Sequence, residues 1–171
     1  MASAKVLTAA GPASEEADTL RRAERFAEAA LSSLVALVLV ALVLAEAGMP
    51  LIIRALAPGF VADPAKFADS VLFARIAFVF VAAIIVVAFL ASRLNAVGRY
   101  ALVALAPLVL NFVLIPVLVG LLALGWRGEA QAGLVLVMAV LAAGLIQLVY
   151  VGRGVHRAGL TLRLGWLKPD P

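Results

Sequence analysis

Four runs of about twenty residues, in which Leu, Val, Ala, Ile and Phe follow one another almost without charge, constrain this chain more than any other feature. Crossing roughly 30 Å of hydrocarbon takes about 20 helical residues. The runs fall at about 29–48, 71–90, 100–124 and 132–151. A soluble fold has no interior large enough to bury four such segments, and 65% of the chain is hydrophobic against 14% charged. The expected class is therefore an all-α polytopic integral membrane protein of four transmembrane helices.

The segments between the runs supply punctuation. Residues 1–28 form a polar, then amphipathic, cytoplasmic lead-in helix. Ser14 is its candidate cap, and Glu15, Glu16 and Asp18 suit the positive end of the helix dipole. Pro50 follows the first run and predicts a break or bend, after which Leu51–Phe60 is too short to span. Leu56, Ala57, Pro58, Gly59 and Phe60 are placed along the interface as a short helix and turn, and Glu46 is placed within reach of the headgroups. Asp63 followed by Pro64 reads as a helix start. Asn95 and Gly98 predict a basic turn over Ser92–Tyr100, and residues 152–171 read as a basic cytoplasmic tail that leaves the membrane, with Trp166 as an interfacial anchor.

Lys and Arg set the orientation. Lys5, Arg21, Arg22, Arg25, Arg93, Arg99, Arg153, Arg157, Arg163 and Lys168 fall on one side, against Arg54, Lys66 and Arg127 on the other. The positive-inside rule then puts both termini in the cytoplasm. The same scatter of bases between apolar runs argues against nucleic acid as a partner, because no basic face gathers.

Polar groups inside the spans are few, and each needs an account. Arg75 costs about 2.5–3.5 kcal/mol at a bilayer centre, but one turn from the edge it can extend to the interface. An inward-facing functional arginine is the competing reading. Pro107 and Pro116 each delete a backbone donor and predict a kinked or locally unwound third helix. Asn111 is expected to hydrogen-bond across a helix interface or to a carbonyl freed by proline, and Gln147 is read as a packing residue. Ala139, Ala143 and Gly144 form a small-residue face that permits close helix approach.

No catalytic, metal or cofactor site is expected. Cysteine is absent, and the single histidine, His156, sits between basic residues with no second ligand at metal spacing. The carboxylates are few and peripheral, and there is no phosphate-cradling glycine loop. Transport, lipid handling and assembly remain.

Four motifs occur in order: LAPGF (56–60), FARIAF (73–78), LNAVGRYALVALAPLVLN (94–111) and HRAG (156–159). In this order and spacing the chain, from about Phe26 onward, resembles the MurJ/MviN lipid II flippase family, part of the multidrug/oligosaccharidyl-lipid/polysaccharide exporter superfamily. The resemblance implies a two-lobed transporter that moves undecaprenyl-pyrophosphate-linked peptidoglycan precursor across the bacterial inner membrane by alternating access. The four spans would correspond to the third to sixth helices of the first lobe, so the chain reads as part of such a transporter, and the precursor would be its partner once other helices complete it. Arg75, Arg99, Pro107 and Asn111 match family positions, which implies support of lobe geometry and interfacial anchoring rather than substrate contact. Val79 and Val103 stand where the family tends to have proline. The alternative is a stand-alone four-helix membrane protein with a structural or partner-binding role, associating as a homo- or hetero-oligomer through faces such as Ala139/Ala143.

Overall fold

A computed structural model describes residues 12–160, except 127 and 129; Lys5, Arg127, Glu129, Arg163, Trp166 and Lys168 lie outside the described residues. The fold is all-α. Helix α1 spans Pro12–Leu56, a 3-10 turn covers Pro58–Phe60, and α2 (Pro64–Ala96), α3 (Tyr100–Ala123) and α4 (Ala130–Arg157) follow. All four are long and apolar enough to cross a membrane.

Helices whose neighbour is hydrocarbon run further than local sequence signals suggest. Ending one inside the apolar layer strands backbone donors and acceptors that no water can meet. Thus α1 passes through Pro50 without ending, and the interfacial helix predicted from Leu51 shrinks to the turn after Leu56. Helix α3 likewise stays α-helical through both Pro107 and Pro116, with no local unwinding. Helix α2 absorbs Ser92–Ala96, which shortens the turn to Val97–Arg99. Helix α4 takes up Gly152–Arg157, residues expected in the departing tail.

The helix ends that do occur are chemically explicit. Asp63 caps α2 by accepting from the backbone N–H groups of Ala65 and Lys66, both at 3.1 Å, and Pro64 takes the first helical position, where no N–H is needed. At its other end Gly98 adopts φ 75°, its N–H bonds to Asn95 O, and the Arg99 N–H reaches Leu94 O. That six-to-one closure is a Schellman cap, and the left-handed residue it needs is glycine here. Gly125 ends α3 in the same way, with Trp126 N–H bonded to Leu121 O.

Helix α4 is the centre of the bundle. It packs against both α2 and α3, α1 packs on α2, and α2 and α3 scarcely meet each other. Leu31, Val87, Leu90, Leu94, Ala106, Val151 and Val155 form the core cluster, which closes the end of the bundle where α2 passes to α3. Large apolar side chains such as Phe112, Leu44 and Val119 point outward instead, as expected where the solvent is lipid.

Candidate functional site

Three glycines of α4 set its approach to α2. A Cβ on Gly133 would lie 2.7 Å from the Phe73 ring, and one on Gly144 would lie 2.5 Å from the Phe80 ring. A Cβ on Gly154 would meet Leu94 at 3.2 Å. Each α2 side chain occupies the space that the glycine leaves open. Ala139, Ala143 and Gly144 are buried alongside them. The small-residue face is therefore consumed inside the bundle, and the association surface that the stand-alone reading assigned to Ala139/Ala143 is not exposed.

Between α2 and α3 the opposite holds. A cleft of about 340 Å³ opens there, lined by Phe80, Ile84, Val103, Pro107 and Leu110, with Gln147 of α4 at its floor. Gln147 is 2% exposed, and its Nε2 donates to Ala106 O at 2.8 Å, tying α4 to α3. Its Oε1 is buried without a partner among the described residues. The packing role expected of Gln147 thus has a geometry: one interhelical bond at the edge of an apolar cleft.

Pro107 lines that cleft, whereas Asn111, one turn further on, lies on the exposed side of α3, outside the helix interfaces formed among the described residues. The two residues do not form one polar site with Gln147. Arg99 is the exposed N-cap residue of α3, and its side chain makes no capping bond. Leu56 closes α1, Ala57 precedes the 3-10 turn, and Pro58, Gly59 and Phe60 form it. Phe60 also borders a second, wider pocket of about 750 Å³, where the start of α2, the end of α3 and the start of α4 diverge; Asp63, Lys66, Asp69 and Trp126 line it. The Lys66 ammonium lies 5.4 Å from the Phe60 ring centroid. His156 is exposed in the last turn of α4, and no group of His or carboxylates among the described residues is placed to hold a metal ion.

Arg75 reaches across to α1. Its Nε lies 3.6 Å from Glu46 Oε2, and its Nη2 donates to the backbone O of Glu46 at 3.2 Å. Glu46, expected within reach of the headgroups, is the α1 partner of this α2 side chain. The two residues lie 29 apart in the chain, and the packing of α1 on α2 brings them together.

These features define a polytopic helical membrane protein in which Gln147 and the Glu46–Arg75 pair join neighbouring helices. A family model described as lipid II flippase MurJ matches residues 12–170, and the chain belongs to that family. It is 40% identical over 158 residues to a probable lipid II flippase MurJ of Rhizobium meliloti (strain 1021), covering 90% of this chain and 28% of that protein. To a probable lipid II flippase MurJ of Rhizobium tropici it is 32% identical over 157 residues, which is 91% of this chain and 29% of the relative. The chain thus spans less than a third of the length of these relatives. No solved structure matches it.

Proposed function

We propose that this chain is part of a lipid II flippase-like transporter, moving undecaprenyl-pyrophosphate-linked peptidoglycan precursor across the bacterial inner membrane by alternating access. The observation that carries the reading is the similarity to two probable lipid II flippases across nine-tenths of the chain. The four helices contribute to the first lobe of the transporter, and helices outside this sequence complete the path for the precursor. Arg75, Arg99, Pro107, Asn111 and Gln147 act on lobe geometry and anchoring, and membrane lipid is the partner of the apolar outer faces.

Both termini lie on the cytoplasmic side in this reading, which puts the wider pocket at the opposite, outer end. Transplanting residues 12–160 into the corresponding stretch of the Rhizobium meliloti relative tests the function. The chimera is expected to sustain growth of cells depleted of their own flippase; normal amounts of a chimera that cannot do so would count against the reading. Orientation has its own test, since the chain has no cysteine. Ser92→Cys should react with an impermeant maleimide from the cytoplasmic side, and labelling from outside would reverse the topology.

A further inference from the structure

A proline inside a helix leaves the carbonyl four residues earlier without its N–H donor. For Pro50 that carbonyl belongs to Glu46, and it is the atom to which Arg75 Nη2 donates at 3.2 Å. The same guanidinium holds the Glu46 carboxylate through Nε. We propose that Arg75 is the replacement donor that keeps α1 continuous through Pro50, and that Pro50 is a latent hinge held shut from α2 by this one side chain.

Three observations make the clamp releasable rather than fixed. Both contacts are longer than the roughly 2.7–2.9 Å of a tight charge-assisted bond. The Arg75 side chain is 44% exposed, so turning it away displaces no core side chain. Beyond Pro50, the last turn of α1 is held to α2 by an exposed cation–ring contact, with Arg54 5.6 Å from the centroid of Phe67. The six residues from Leu51 to Leu56, with the 3-10 turn after them, can therefore swing as a short arm once Arg75 lets go. Without the Arg75 donor the Glu46 carbonyl lacks a partner, so release couples bending of α1 to a new donor for that carbonyl.

The clamp separates two roles of Arg75 that a simple ion pair would merge, and spin labels at Leu56 and Leu134 measure the difference. In the otherwise unaltered chain, reconstituted in nanodiscs, the distance distribution is expected to be narrow. Arg75→Met should broaden it at least twofold, and Pro50→Ala/Arg75→Met should bring it back, because alanine restores the helix's own bond to the Glu46 carbonyl. Glu46→Gln should leave it narrow, since the backbone carbonyl is untouched. Should Arg75→Met fail to fold while the double variant folds, the replacement role stands by the same logic. An unchanged width in Arg75→Met, no recovery on adding Pro50→Ala, or broadening in Glu46→Gln equal to that in Arg75→Met would each overturn the proposal. As a second readout, isotope-edited infrared absorption of a 13C-labelled Glu46 carbonyl should move to higher frequency in Arg75→Met and return in the double variant; a band that never moves would overturn it as well.

Discussion

Helix α2 meets its two later neighbours in opposite ways. Against α4 its aromatic side chains sit where Gly133 and Gly144 have no Cβ, and the helices close up. Towards α3 the same helix presents Phe80 and Ile84 to Val103, Pro107 and Leu110, with no glycine on either side, and a cleft remains. The contrast follows from the solvent. Lipid gives little drive to bury one apolar side chain against another, so contact depends on how closely two backbones can come. Glycines let α4 approach; α3 has no such seam with α2, and the Gln147 bond to Ala106 O ties α3 to α4 instead.

Erasing the contrast from its tight side should have the largest effect. Gly144→Ala puts a methyl group 2.5 Å from the Phe80 ring and is expected to cost about 1–3 kcal/mol in reversible unfolding in mixed micelles. Phe80 also lines the cleft, so part of the strain can be relieved by pushing its ring that way. Adding Phe80→Leu should accordingly recover most of the loss, and a double variant no better than the single one would show that the seam is not limited by this contact. Gly133→Ala should cost less, about 1 kcal/mol, because Phe73 borders the wide pocket and its ring has room to move.

Changes on the loose side should be smaller still. Gln147→Leu removes one interhelical bond, a class that averages about 0.6 kcal/mol, and with it a buried oxygen that has no partner among the described residues. The two effects oppose each other, and thermal unfolding should shift by less than about 1 kcal/mol equivalent. A loss as large as that of Gly144→Ala would mean that the cleft, not the seam, organises the bundle. Ala88→Leu, which adds hydrocarbon to the cleft wall, should be close to neutral in the same assay.

The number of spans, their approximate places and the start of α2 were legible from residue order, whereas Ser14, the candidate cap of the lead-in helix, lies inside α1. Asp63-Pro64 announces α2, and Gly98 announces its end, because capping is local and each signal lies within a turn of the group it satisfies. Small residues at 139, 143 and 144 marked α4 as the helix that packs closely. They did not reveal that Gly133 and Gly154 extend the seam, or that Phe73, Phe80 and Leu94 fill it. Local grounds predict a break or bend at Pro50 and a kink or unwinding at Pro107 and Pro116; the helices run on through all three, because in a membrane the cost of an open helix end outweighs that of one missing bond.

Composition and the four apolar runs by themselves determined that this is a helical membrane protein, and the ordered motifs pointed to its family. Hydrophobicity and capping act over a few residues and can be read along the chain. Which charges meet could only be decided by tertiary structure. Glu46 and Arg75 are adjacent because α1 and α2 run antiparallel at one particular offset, and that offset also places the guanidinium on the carbonyl that Pro50 abandons. Asn111 was turned outward and Gln147 inward by the same kind of choice, since the rotation of each helix is set by the backbones it packs against rather than by its own residues.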